Sequence, residues 1–228
     1  MNRYLHEFQR SGTGLLGALA FLFSTLAVQP LAAQNHSPPT PPVEISDMLE
    51  RLQSGGYVLL IRHERTEVPS RSDDYSQASN ECRAQRNLSM AGVAGAQETG
   101  FVLRTLGIDV GRVLTSPMCR SAETARYMFG VAFETDTRLM HHDPDGERNL
   151  DVAEGELRDL LKELAPGLPD TNIALVSHGG NILRASGMRI SEGEIGVLKF
   201  GDDDSIEVIG HFMGSDLAPY ARRSLQSR

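Results

Sequence analysis

Tyr57-Val58-Leu59-Leu60-Ile61-Arg62-His63-Glu64-Arg65-Thr66 decides how this chain is read. Gly55-Gly56 precedes five apolar residues that run without a break into an arginine and a histidine. A short apolar run bounded by turn residues predicts a strand buried on both faces, as in an α/β sheet. In open α/β sheets the chemistry lies just beyond the carboxyl ends of the strands. Arg62 and His63 are therefore expected where a core strand opens into a cleft. Histidine changes charge near neutral pH, and an arginine fork binds oxyanions, phosphate above all. Taken alone, the pair also fits a salt-bridged arginine beside a half-buried histidine.

Ile173-Ala174-Leu175-Val176-Ser177-His178-Gly179-Gly180-Asn181 repeats the pattern. A second apolar strand ends in a histidine, glycines permit close backbone approach, and a helix follows. Between them, Arg112 to Thr115 reads as a strand broken at Ser116-Pro117, with a helix over 118–129. Arg120 falls in its first turn, where backbone N–H groups and the helix dipole favour an anion. Two histidines and two arginines at strand ends point to one shared oxyanion site.

The other elements alternate. Ile45, Met48, Leu49 and Leu52 have helical spacing, with Ser46 as cap and Gly55 as stop. Residues 64–87 form a long polar loop with Arg65, Arg71, Arg83 and Arg86, expected as a rim over the cleft. A helix capped by Ser89 runs to Leu106, with Met90, Val93, Ala94 and Phe101 on one face. An amphipathic helix spans about 150–164, and Val197–Phe200 with Ile206–Ile209 reads as an edge hairpin. Strands alternating with helices predict a three-layer α/β/α sandwich with a mostly parallel central sheet.

Outside this domain, residues 1–33 have the order of a secretory signal: Arg3 and Arg10, an apolar run from Leu15 to Val28, then Ala32-Ala33. Residues 34–42 carry four prolines and read as an extended linker to a domain at 43–228. The expected location is periplasmic or secreted, with no stable membrane insertion once the signal is cleaved. The apolar run is too short and too interrupted for a convincing span.

The chain has 228 residues and a formal net charge of −8. Losing residues 1–33 would leave 20 basic against 29 acidic residues. No basic run exists to neutralise a phosphate backbone, which argues against nucleic acid. A few convergent arginines can still bind a small phosphate ester inside an acidic exterior. CxxC and HExxH spacings are absent, so no metal is implied; His141-His142 has no matching ligand in view. Cys82 and Cys119 are either a disulfide, as an exported protein permits, or two unpaired small residues.

Arg62-His63-x-x-Thr66 resembles the signature of the histidine phosphatase superfamily, which includes the cofactor-dependent phosphoglycerate mutases. Ser116-Pro117-x-x-Arg120-x-x-Glu123-Thr124-Ala125 is similar to its second arginine block, and Ser177-His178-Gly179-Gly180 to its second histidine block. Asn87-Leu88-Ser89-x-x-Gly92 is similar to the start of its first long helix. The likeness runs from about Gly56 to Phe212. It implies a phosphoglycerate mutase-like fold and a metal- and cofactor-independent phosphatase. His63 would be the nucleophile, with Arg62, Arg120, His178 and Thr66 on the phosphoryl group.

The chain departs from the family in two ways. Glu64 stands where glycine is usual, so its side chain must point away from the phosphate. The general acid of either branch is also missing: Met140 or His141 stands around one position, Gly179 at the other. Ser191-Glu192-Gly193-Glu194 offers Glu194 or Glu192 as proton donor; the alternative is a solvated acidic turn. The expected substrate is a small phosphomonoester, a sugar phosphate of the cell envelope among the candidates. A phosphate- or polyanion-binding module of the same fold is the competing reading.

Overall fold

The computed structural model describes residues 44–67, 73, 81–140, 150–165, 170–201 and 205–227. The signal and linker readings, Arg71 and the His141-His142 pair lie outside these residues. The strand expected at the opening motif is β1, Val58–Arg62, and residues 58–61 are fully buried. Alternation along a strand sends successive side chains to opposite faces. Leu59 and Ile61 join one apolar cluster, and Val58 and Leu60 join another. Burying each such side chain contributes about 1.5–3 kcal/mol, so β1 anchors both halves of the core.

Around it lie β2 (Val110–Thr115), β3 (Glu134–Thr135), β4 (Asn172–Ser177), β5 (Glu194–Phe200) and β6 (Ile206–Met213), in the order β3-β2-β4-β1-β5-β6. The β3-β2, β2-β4 and β4-β1 pairs are parallel; β1-β5 and β5-β6 are antiparallel. The expected hairpin supplies the antiparallel edge. Helices α1 (Ile45–Ser54), α2 (Met90–Thr105), α3 (Cys119–Phe129) and α6 (Gly214–Gln226) contribute to the first cluster. Helices α4 (Leu150–Leu164) and α5 (Gly179–Ser186) contribute to the second. Helices on both faces of one sheet make the three-layer sandwich the alternation predicted.

Three local expectations are corrected. The cap of α1 is Glu44, without a side-chain bond, rather than Ser46. Ser89 does cap α2, accepting from the Gly92 N–H, but the buried face of that helix differs from the one expected. Met90 is 84% and Phe101 53% exposed, while Gly92, Gly95, Ala96, Thr99, Gly100, Val102 and Leu103 face inward. The helix approaches its neighbours through small residues. Helix α6 follows the hairpin where no element was expected; the Asp216 carboxylate accepts from the Met213 N–H at its start, and Leu217 and Ala221 are buried.

Candidate active site

Strand register assembles the site. Arg62 on β1 lies opposite Ser177 on β4, and Thr115 on β2 opposite Val176. The residues one step beyond, His63, His178 and Ser116, therefore emerge side by side at the carboxyl edge. The ladder continues to that point: His63 N–H donates to Ser177 O at 3.0 Å and Ser116 N–H to Val176 O at 2.9 Å. The two imidazoles stand edge to face, with ring centroids 5.3 Å apart. Both are buried, His63 at 2% exposure and His178 at 3%.

His63 Nδ1 is 2.9 Å from Glu64 O, which fixes the ring with Nδ1–H donating and Nε2 carrying the lone pair. Burial, with the positive fields of Arg120, Arg62 and Arg86, lowers the His63 pKa from 6.5 to about 3; the Glu64 carbonyl opposes this. The ring is therefore neutral and nucleophilic at pH 7. His178 Nε2 meets Ser116 Oγ at 2.9 Å, which orients the second ring.

These rings line a cavity of about 300 Å³ with Arg62, Arg86, Arg120, Gly179, Gly180, Leu183, Arg189 and Ile190. That is the low end of small-molecule pockets. Arg120, at the start of α3, is 2% exposed, and its Nη1 donates to Asp73 Oδ1 at 3.0 Å. Arg62 Nη1 donates to Ile190 O at 3.0 Å. The buried Nε atoms of Arg62, Arg86 and Arg120 have no hydrogen-bond partner among the described residues. An unsatisfied buried donor costs about 1–3 kcal/mol, so three around one cavity mark it as built for acceptors. Gly179 lies against this arginine set: a Cβ there would sit 3.1 Å from the Arg62 guanidinium. A side chain at 179 would press on that guanidinium, which would have to give by a few tenths of an ångström.

The described end of the polar loop, residues 81–87, is fastened to α3. Cys82 and Cys119 form a disulfide, with Cα atoms 5.6 Å apart. Gln85, 2% exposed, accepts from the Cys119 N–H at 2.8 Å. Asp73 Oδ1 accepts from both the Arg86 N–H, at 2.7 Å, and Arg120. Arg86 and Arg120, 34 positions apart in sequence, thus belong to one cross-linked unit.

The acidic residues separate. Glu64 is 2% exposed and does not line the cavity. Its carboxylate accepts from the Arg65 N–H at 3.2 Å, and burial pushes its pKa up. Gly95 and Gly193 leave the room it fills, since a Cβ at either would come within 2.7 Å of its oxygens. Glu192 does not line the cavity but lies behind two arginines that do: its Oε1 accepts from Thr66 Oγ1 at 3.1 Å and lies 3.8 Å from Arg62 Nη2 and 3.7 Å from Arg86 Nη2. Glu194 turns elsewhere, accepting from the Ser191 N–H and from His211 Nδ1. Gly193, at φ +81°, reverses the chain between the two carboxylates. Thr66, expected on the phosphoryl group, holds Glu192 instead.

The structure thus brings Arg62, His63, Arg120 and His178 together and leaves Glu192, Glu194 and Thr66 off the cavity wall, Glu192 reaching it through Arg62 and Arg86. Arg86 carried a signal in its place on the polar loop. Arg189 carried none, since nothing distinguishes it from any arginine after a helix. Among the described residues no group of His, Cys, Asp and Glu is arranged to hold a metal, and no helix is long and apolar enough to cross a membrane.

No protein-family model and no curated protein matches the chain. Solved structures do share its fold. Mycobacterial glucosyl-3-phosphoglycerate phosphatase, in complex with inorganic phosphate, is 17% identical over 69% of this chain and 98% of that one, with a TM-score of 0.50. Mycobacterial hydrolase 1 is 19% identical over 68% and 96%, with a TM-score of 0.52. YhfR of Bacillus stearothermophilus is 14% identical over 67% and 94%, also at 0.52. The likeness is one of fold, and that fold is the one the histidine phosphatase motifs implied.

Proposed function

We propose that this chain, which has the histidine phosphatase fold, is a histidine phosphatase that hydrolyses small phosphomonoesters through a phosphohistidine on His63. The reading is carried by one observation: a neutral imidazole with a free Nε2, facing a second imidazole at 5.3 Å, inside a ring of arginine Nε donors that have no partner among the described residues. A tetrahedral oxyanion supplies the acceptors those donors need.

In the first step Nε2 attacks phosphorus, the P–N bond forms and the ester P–O bond breaks. Arg62, Arg120, His178 and the N–H groups at the start of α5 stabilise the equatorial oxygens. Glu192, a carboxylate in its pairing with Arg62 and Arg86, takes the proton of the ester monoanion as substrate binds and passes it to the leaving oxygen. In the second step water attacks the phosphohistidine, its proton returns to Glu192, the P–N bond breaks and phosphate leaves. Splitting one difficult displacement into two is the gain of the covalent route. The chemistry needs no metal, because the guanidinium groups supply the positive field. The solved relative named as a phosphatase of glucosyl-3-phosphoglycerate supports a small phosphorylated substrate; we propose a sugar phosphate of the cell envelope. Export follows from the order of residues 1–33, and the Cys82–Cys119 disulfide supports it, since disulfides persist in oxidising compartments.

The test is turnover of para-nitrophenyl phosphate in EDTA near pH 5–7, with a rapid acid quench and a base quench. Turnover, and a base-stable, acid-labile phosphoprotein absent from His63→Ala, are expected. No turnover, with phosphate still protecting against thermal unfolding, would leave the binding-module reading in its place.

A further inference from the structure

Besides the phosphoryl-site residues, the cavity is lined by Leu183 on α5 and by Arg189 and Ile190 just after it. The segment after α5 is fixed at both sides of Arg189. Met188 and Ile190 are buried, at 6% and 3% exposure, in the cluster under β1 and β4. The Ile190 carbonyl also holds Arg62. Arg189 is thus an exposed cation on a rigid stretch, one residue from a carbonyl that orients a phosphate-site arginine. The other cavity arginines have acidic neighbours: Arg120 has Asp73, and Arg62 and Arg86 share Glu192. Among the described residues Arg189 has no ion pair. The same lining includes the apolar side chains of Leu183 and Ile190, which suit the carbon body of a leaving group.

We propose that Arg189 is a specificity-determining residue that recognises a second anionic group on the leaving group, so that the preferred substrates are phosphomonoesters bearing a further carboxylate or phosphate. This rests on the phosphoryl-site reading above. Three compounds isolate the second charge. Glucose 6-phosphate has a neutral leaving group, 6-phosphogluconate adds a carboxylate to the same carbon skeleton, and glucose 1,6-bisphosphate adds a phosphate.

In the wild type, kcat/KM for one or both doubly acidic esters should exceed that for glucose 6-phosphate by about tenfold, the scale of one charge-assisted contact. The ratio should fall to within about twofold in Arg189→Ala, recover in part in Arg189→Lys, and shrink with added salt because the group is exposed. Which compound gains separates carboxylate from phosphate recognition. Calorimetric affinities of the same compounds for His63→Ala protein and for His63→Ala/Arg189→Ala read the difference without turnover. If the wild type hydrolyses nothing, the phosphatase reading fails and the binding ratios alone decide this one. Equal ratios with and without Arg189, in either measurement, overturn it.

Discussion

Taking the pH from 7 to 5 should cost about 2 kcal/mol of folding stability through His63 alone. In the unfolded chain this imidazole titrates at its ordinary 6.5; in the folded protein burial, then the Arg120 and Arg62 fields, hold it at about 3. Between those values the unfolded state binds the proton and the folded state does not. Stability is therefore complete above pH 6.5 and drains away as the pH falls toward 3. Each unit of separation is worth about 1.4 kcal/mol, and 1.5 units lie between 6.5 and 5. The loss is a sizeable share of the roughly 5–15 kcal/mol that holds a domain together. Urea denaturation of wild type and His63→Asn at both pH values isolates it, because Asn cannot titrate and the other groups cancel. The wild type should lose about 2 kcal/mol more than the variant over that interval. A difference near zero, or an NMR titration of the His63 ring with a midpoint near 6.5, would refute the reasoning and remove the neutral nucleophile with it.

Arg120→Ala should lower kcat/KM by about 10²–10³, the scale of deleting one charge-stabilising donor. Arg120→Lys keeps the charge beside Asp73, so activity lost in both variants reports the missing guanidinium rather than misfolding; activity within a few-fold of wild type in Arg120→Ala would place the phosphate elsewhere. Glu192→Gln should slow alkyl phosphates by about 10²-fold, the scale of general acid catalysis, and para-nitrophenyl phosphate much less, since its leaving oxygen needs no proton; equal losses would deny Glu192 the acid role. Reducing the disulfide, or replacing both cysteines by serine, should cost about 4 kcal/mol for a loop closed across a sequence separation of 37. It should also raise KM more than it lowers kcat, because the loop carrying Arg86 loosens while the histidines stay on the sheet; melting curves and steady-state kinetics with and without dithiothreitol check both.

The buried strands were legible because they are continuous apolar runs, and a run that short and that apolar has few other uses. What lay beyond their ends was legible for the same reason: His63 and His178 terminate two such runs. Pairing β1 with β4 was not, since sequence carries no sign of which strands are neighbours. The inward face of α2 was misread because large apolar side chains outweigh glycines in any periodicity. Met90 and Phe101 are on the outside, and Gly100 lies where a Cβ would come within 2.0 Å of Met128 O. Helix α6 escaped notice because Pro219 interrupts its pattern and few large apolar residues line it. Glu192 and Glu194 were indistinguishable for a different reason. Two residues apart, their directions depend on the backbone of Gly193, and no side-chain pattern encodes that. The disulfide depended on residue 82 lying beside the start of α3, which two isolated cysteines cannot announce.

The placement of both imidazoles by a shared ladder has a consequence for how such a protein changes over time. Slipping β4 by one residue against β1 would turn its side chains to the opposite face, so catalytic geometry and core packing fail together and the chemistry is locked to the sheet. The exposed side chains at Arg189 and Arg83, and half-buried Leu183, are under no such constraint, whereas Ile190, Cys82 and Gln85 beside them hold the site in place. New preferences among phosphate esters can arise at those side chains by substitution alone, and a designer seeking to retarget the protein should vary them and leave the strands and the anchoring residues untouched.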